Sequence, residues 1–459
     1  MAGIGLRLHQ VVSGGSYTRA AGAYLSSAVI SAGPWLAAAV ALTLLQKSSG
    51  RFLNDDERKL LFATIAYAFG LSLLLTGGLQ YIVTRYVADR LYMHDEAAIG
   101  PTCAGVLLCA APLWLLCLPW LLYAPVDLPY RLLSATLVLT LSLTWLVVVF
   151  LSAARYYLRI VAVYVACYAL SLGAALWCGA RWGLLGCLAG FAAGQVACLA
   201  LLAMQVFAEF PAAGRIDGAF LGYIRRYWEL ALLGLLYSGG VWADNAVYWF
   251  SRHGEVVAGF FRVSPTYDSA KFLAYLTTVP AAAAFLVHLE TNFYHHYRAF
   301  YRLIRQQGTL REIRAAKAGM LTAAWSGVRS ILKLQGLVAA TAIVLASDIT
   351  RLAGLPPSAT PVFRLVVLGA SCQFLLLTAA LFLLYLDERR AALIVMLAFA
   401  VLNVVCTLGA LSLPADWRGL GYCVAGALGS VVALLYLRSR LAQLEYRTFM
   451  LQPFLSEQL

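Results

Sequence analysis

Twelve long apolar blocks run through this chain, and nine of them contain no Asp, Glu, Lys, Arg or His. They are Ala23–Gln46, Leu60–Val83, Thr102–Tyr123, Leu132–Ala154, Ile160–Ala180, Trp182–Phe207, Leu230–Phe250, Phe272–Leu289, Ile331–Ala346, Leu365–Leu386, Ala391–Leu413 and Leu420–Leu437. The exceptions carry Asp244, His288 and Lys333. A helix crosses the hydrocarbon core with roughly 20 apolar residues. In lipid the backbone must satisfy its own polar groups, which leaves only helices and closed barrels. Barrel strands alternate in polarity over about ten residues, and these blocks do not. The 12% of charged residues, against roughly 25% in globular chains, fits the same reading. The expectation is an all-α polytopic membrane protein with about 12 transmembrane helices.

A short pattern divides these spans into halves. Ser31-Ala32-Gly33-Pro34-Trp35 in the first span is echoed 207 residues later by Ser238-Gly239-Gly240-Val241-Trp242 in the seventh. Six spans per half give both halves the same membrane orientation, as in transporters built from parallel repeats. The expected organisation is one six-helix bundle over 1–208, a cytoplasmic linker over 209–227, and a second bundle over 228–459. The second carries a cytoplasmic amphipathic segment over 291–329.

Basic residues in short loops set the orientation. With both termini in the cytoplasm, about 22 of the 34 Lys and Arg fall inside, as the positive-inside rule requires. The net charge of +13 is mostly this topology signal, with attraction to anionic lipid second; nucleic acid is not indicated. The ten cysteines lie in or beside apolar blocks without a CxxC, so neither a zinc site nor a redox motif is expected, and no cofactor is implied. The first block reads as a retained span rather than a cleaved signal peptide.

Helix breakers and intramembrane charge mark candidate transport residues. Freed backbone groups survive in a membrane only where protein or water satisfies them. Pro34 interrupts the first span and Pro280 the eighth, while Gly77-Gly78 and Gly239-Gly240 loosen the second and seventh. Their clustering in the first two spans of each half favours a path-lining role, with close helix packing by small residues as the alternative. Asp244, within the seventh span, costs roughly 2.5–3.5 kcal/mol at a helix centre, so it needs a wet cavity, a cationic partner or a proton. Tyr248 follows four residues on and extends that face, and Trp35 offers a ring on which a sugar can stack. Arg85 ends the second span and Glu290 the eighth, at nearly corresponding places; they are a candidate cytoplasmic gate, with Arg85 snorkelling to headgroups as the alternative. Asp268 and Lys271 are candidates for a matching outer gate.

Phe293, Tyr297, Phe300 and Ile304 recur at helical spacing, with His295, His296, Arg298, Arg302 and Arg305 on other faces. This basic amphipathic stretch suits the membrane interface or a cytosolic partner, or is simply an extension of the eighth span. Enzyme motifs are absent: no GxxxxGK[ST], HExxH or GxSxG occurs, so neither a phosphate loop nor a hydrolase elbow is present. Asn54-Asp55-Asp56-Glu57 reads as a solvated charge run in the first outer loop.

Several motifs then resemble one family. The opening Met1-Ala2-Gly3-Ile4-Gly5, Gly33-Pro34-Trp35-Leu36 and Thr84-Arg85-Tyr86-Val87-Ala88-Asp89 are similar to PelG, the family of exopolysaccharide Pel transporters. So are Tyr267-Asp268-Ser269-Ala270-Lys271-Phe272-Leu273-Ala274-Tyr275-Leu276, Glu290-Thr291-Asn292-Phe293-Tyr294 and Tyr297-Arg298. The resemblance implies a MOP exporter fold, two helical bundles around a cavity lined mainly by spans 1, 2, 7 and 8. It further implies a bacterial inner-membrane exporter moving an N-acetylgalactosamine-rich polymer to the periplasm. The implied partners are a cytosolic glycosyltransferase and inner-membrane subunits, one binding cyclic di-GMP. Asn245 stands where a Lys is expected after the span-7 Asp. The alternatives are a flippase for lipid-linked oligosaccharide, which a cationic cavity would favour, and a membrane scaffold for the synthase.

Overall fold

The computed structural model describes residues 17–154, 157–212, 214–259 and 261–451; the Met1–Gly5 motif lies outside them. Among these residues ten helices are long and apolar enough to cross a membrane. The chain divides into two compact units, Met1–Asp268 and Ser269–Leu459.

In the first unit, α1 (Tyr17–Ser49) contains the first expected span, is described only in part, and is not among the ten. The second helix, α2 (Asp55–Tyr92), is far longer than the apolar block it contains. Its start corrects the reading of residues 54–57 as a loop. Asn54 is the N-cap: its side chain accepts from the Glu57 N–H at 2.8 Å, and Glu57 accepts from the Asn54 N–H at 3.0 Å. Three acids in the first turn suit the positive end of the helix dipole. The third expected span is interrupted, as α3 (Ile99–Ala110), a 3₁₀ stretch (Ala111–Cys117) and α4 (Leu118–Tyr123). Pro112 and Pro119 open the later two pieces, where a missing N–H is tolerated.

After α5 (Leu128–Ala154) comes α6 (Tyr157–Glu209), a run of 53 residues. At 1.5 Å per residue this would be about 80 Å, far beyond a core of about 30 Å. The run is two helices: Trp182 and Gly183 depart from helical geometry, Gly183 at φ +59°. That conformation favours a residue without Cβ. The break falls between the fifth and sixth expected spans. Helices α7 (Phe220–Arg226) and α8 (Trp228–Trp249) complete the helical part of the unit.

Helix α2 packs against α5 and α8. Its contact with α8 is glycine-mediated: a Cβ on Gly234 would come within 2.2 Å of the Gly77 carbonyl oxygen, and one on Gly78 within 2.7 Å of the Ala231 oxygen. Gly77-Gly78 therefore permits close approach inside an uninterrupted helix, and does not loosen it. Gly239-Gly240 and Pro34 likewise lie within continuous helices.

A two-stranded antiparallel hairpin, β1 (Glu255–Ala258) and β2 (Phe261–Val263), follows α8. The reading of the chain as all helix passes over it. Seven strand residues around Gly259, at φ +57°, carry too little pattern to stand out.

In the second unit the eighth span comes in pieces. Helix α9 (Pro265–Leu276) begins at the end of the first unit and runs into the second, and α10 (Val279–His288) restarts after Thr277-Thr278 with Pro280 in its first turn. A π-helical turn (Leu289–Phe293) leads into α11 (Tyr294–Arg305). Of the expected breakers, only Pro280 coincides with a break. Next is α12 (Leu310–Val344), capped by Thr309 with Glu312. The expected ninth span, Ile331–Ala346, is thus the far half of a 35-residue helix. Helices α13 (Ala346–Leu352), α14 (Ala359–Tyr385), α15 (Arg389–Ala410) and α16 (Leu420–Ala442) follow. α14 is central, packing against α12, α15 and α16. Gly369 lies under the Tyr422 ring, where a Cβ would meet it at 2.5 Å.

Candidate functional site

Asp244 is fully buried, yet it sits five residues before the end of α8 rather than at its centre. It accepts a hydrogen bond from the Tyr267 hydroxyl on α9. Tyr248, also fully buried, places its ring 4.3 Å from that of Tyr267. One turn of α8 thus presents a carboxyl and a phenol to the same tyrosine.

Asp268, next along α9, gathers three donors. Asn245 Nδ2 reaches Oδ1 at 2.7 Å, the Trp249 indole N–H reaches Oδ2 at 2.9 Å, and the Ser264 backbone N–H reaches Oδ2 at 3.0 Å. A carboxylate accepting several N–H bonds holds its surroundings in place. Here it ties the end of α8, the end of the hairpin and the start of α9 together. Trp249 also stacks on Tyr67 of α2, with centroids 4.5 Å apart and planes 22° apart. Phe261 of β2 packs edge-on to Tyr67 at 4.6 Å and Trp120 at 4.1 Å, an arrangement that suits the ring quadrupoles. Trp242 is half-buried over Gly70. The first unit thus carries two acids amid a wall of aromatic rings. Trp35 and Pro34 lie partly exposed on α1.

At the other end of α2, Arg85 Nε is 3.2 Å from Asp89 Oδ1 on its own helix, and its guanidinium lies 5.3 Å from the Tyr227 ring centre. Glu290, its expected gate partner, falls in the π-helical turn, and its side chain is outside the described residues. Arg90 binds Asp95 at 2.9 Å and the Tyr86 hydroxyl at 3.0 Å. Tyr86 donates to Asp217 Oδ2 at 3.0 Å. The linker is thereby fastened to α2 and α3, since the Asp217 N–H also bonds the Pro101 carbonyl at 3.0 Å. Burial, then the neighbouring Asp89 charge, raises the pKa of the Tyr223 phenol on α7.

In the second unit Lys271 is buried, with its ammonium 5.0 Å from the Tyr422 ring centre and 5.8 Å from that of Tyr275. Buried Gln373 accepts from Tyr275 at 2.5 Å and from Tyr422. An ammonium over ring faces is a favourable cation–π arrangement. Pro280 opens α10 and is partly exposed.

The basic stretch forms α11. His295, Arg298, Arg302 and Arg305 are exposed along one face, whereas His296 lies near Gly319 of α12. The apolar face is used internally: Phe293 and Phe300 are buried, and Phe293 packs edge-on against Phe382 at 4.8 Å. The helix therefore extends the eighth span, through the π turn, rather than inserting an apolar face into lipid.

Sequence reasoning missed Tyr267, Asp217 and Gln373. Tyr267 stood within a family-like run, where its neighbours Asp268 and Lys271 drew attention by charge. Nothing in sequence spacing links Gln373 to Tyr275, 98 residues away.

No curated protein matches the chain. Solved structures are similar in fold. One is an outward-facing multidrug resistance MATE family transporter of the MOP superfamily, at 14% identity and TM-score 0.62, covering 92% of this chain and 96% of the other. A MOP superfamily transporter from Pyrococcus furiosus has 14% identity and TM-score 0.64, with 91% and 96% covered. MATE in a straight conformation has 12% identity and TM-score 0.63, with 97% and 100% covered. These likenesses give the fold; a match over residues 1–449 makes the chain a member of the PelG family of exopolysaccharide exporters (EPS-E), and so a multi-pass membrane transporter rather than an enzyme.

Proposed function

We propose that this protein carries a Pel-type, N-acetylgalactosamine-rich polysaccharide from the cytoplasm to the periplasm across the bacterial inner membrane, with both termini cytoplasmic. The exporter-family match across nearly the whole chain is the observation that carries this reading, and the bias of Lys and Arg supports the orientation. Asp244, Tyr248, Trp35, Pro34 and Pro280 contribute to the path. A neutral polymer presents hydroxyl and acetamido groups that exchange hydrogen bonds with a carboxyl and phenols once Asp244 and Tyr248, fully buried here, are opened to the path, while its ring faces stack on indoles. Arg85 and Glu290 latch the cytoplasmic side, and Asp268 and Lys271 the outer side. At the cytoplasmic latch an exposed ion pair contributes only about 0–1 kcal/mol, which suits a contact that must open. The exposed cations of α11 face the cytosolic glycosyltransferase and the other synthase subunits, including the one that binds cyclic di-GMP.

Reconstitution with the synthase in sealed vesicles tests this. Labelled polymer should enter the lumen, and Asp244→Ala or Arg85→Ala should reduce entry with the complex intact. Normal entry in both variants would favour a scaffold. The buried Lys271 favours a second reading, a flippase of lipid-linked oligosaccharide, because an ammonium suits an anionic pyrophosphate. Transfer of a lipid-linked pyrophosphate oligosaccharide without polymer entry would select it.

A further inference from the structure

We infer that the concavity formed by Leu321, Thr322, Trp325 and Arg329 on α12 binds the phosphate headgroup of an anionic phospholipid. The argument begins with the exposed face of this helix. From Leu332 through Leu337 to Val344 it carries apolar side chains that are 55%, 67% and 75% exposed. Exposed aliphatic groups of that extent on an apolar helix of a membrane protein face lipid tails. The stripe from Arg329 to Val344 is about 22 Å long at 1.5 Å per residue.

Toward the start of the helix the same face changes character. Lys333 and Arg329 are exposed cations, Trp325 is half-buried and Thr322 is exposed. Aromatic rings and long cationic side chains gather where tails give way to headgroups. At that level the four residues border an open, shallow depression of about 410 Å³. Arg329 donates Nε to the Trp325 carbonyl of its own helix at 3.2 Å, and among the described residues no carboxylate pairs with it. A guanidinium with uncommitted donors, lining the same concavity as Trp325, suits a phosphate oxygen better than a sugar or a cation; the Thr322 hydroxyl is already given to the Ala318 carbonyl at 2.9 Å.

A second concavity gives the contrast. Val424, Leu428, Val431 and Leu435 form a similar exposed apolar stripe on α16. It ends at a concavity of about 390 Å³ lined by Leu435, Tyr436, Ser439, Arg440 and Gln443. There Arg440 already faces Glu388 at 3.7 Å and lies 6.0 Å from the Tyr436 ring centre. Glu388 also binds Arg447, so it meets the Arg440 charge only in part; Arg329 has no carboxylate in ion-pair range among the described residues, which makes the α12 concavity the stronger phosphate site.

The test is native mass spectrometry of the full chain, titrated with phosphatidylglycerol or phosphatidylcholine. Phosphatidylglycerol should bind preferentially. Arg329→Ala should weaken one binding event about tenfold, the scale of one lost charge-assisted contact. Trp325→Ala should weaken it less, and Arg440→Ala should leave it unchanged. Equal binding in wild type and Arg329→Ala would overturn the inference. So would inorganic phosphate alone displacing the lipid, which would assign the site to a free anion. If Arg329→Ala does not fold, Arg329→Lys and Trp325→Ala decide: retention in the first with weaker binding in the second upholds the site, and unchanged binding in the second removes it. Lipid occupancy is read without polymer, so this outcome is separate from that of the transport reading.

Discussion

Tyr267 donates its phenolic hydrogen bond to Asp244, 23 residues earlier in the chain. The two lie on different helices, α8 and α9, and both are fully buried, so the pair fixes one helix against the other. Removing one partner of a buried hydrogen bond costs about 1–3 kcal/mol, more when the remaining group is charged. Tyr267→Phe should therefore lower the thermal unfolding midpoint of the purified protein. Asp244→Asn should cost less, because its amide oxygen accepts the same bond. Equal midpoints for Tyr267→Phe and wild type would show that the pair contributes nothing.

Asp268 should be the more damaging position for local order. Its carboxyl receives Asn245, the Trp249 indole and the Ser264 N–H. Asp268→Ala leaves all three donors without this acceptor, at a cost of at least about 1.5–3 kcal/mol. Trp249 is only 6% exposed, so releasing it should shift tryptophan emission to longer wavelength. The shift should vanish when Trp249→Phe is added, and its persistence there would trace it to another indole.

The apolar blocks foretold most of the helical content because a twenty-residue uncharged run has few other fates in a membrane protein. They did not reveal where helices begin. Leu310–Ser330 joins α12 despite Arg311, Glu312, Arg314 and Lys317, because a capping box and helix-forming residues extend a helix into water as readily as into lipid. Asn54–Glu57 is a solvated charge run as read, but its helical start was hidden for the same reason, since an acidic run and a capped first turn look alike without the backbone. At the candidate site Asp244 was legible because charge is rare inside such blocks. Its partner Tyr267 was not, because a tyrosine hydroxyl announces no partner until two helices are brought side by side.

Gly234 tests the close approach of α2 and α8. A methyl there would meet the Gly77 carbonyl oxygen at 2.2 Å and the Tyr81 ring at 2.8 Å. Backbone cannot yield as a side-chain tip can, so Gly234→Ala should cost about 1–3 kcal/mol, the range for overpacking. Gly173, with nothing within 4 Å of its would-be Cβ, is the control. Gly173→Ala should change stability by no more than about 1 kcal/mol, in the favourable direction. Equal effects at the two positions, read from chemical unfolding, would mean that glycine content rather than helix contact governs stability.

Pro280 offers the sharpest separation of stability from transport. It lacks the N–H that would reach back to the Leu276 carbonyl, and the helix is interrupted at Thr277 and Thr278. Both threonine hydroxyls bond backbone carbonyls at 2.7 Å, Thr277 to Ala274 and Thr278 to Tyr275. They add a second bond to carbonyls that already accept the Thr277 and Thr278 N–H at 3.1 and 3.0 Å, tightening the turn at the break. Pro280→Ala restores the N–H and removes the ring, allowing α9 and α10 to join. Its thermal midpoint should rise, while polymer entry into vesicles should fall if movement at this break is part of the transport cycle. A higher midpoint with undiminished entry would reduce the break to a packing feature, and a lower midpoint would mean that the proline ring stabilises the interrupted helix.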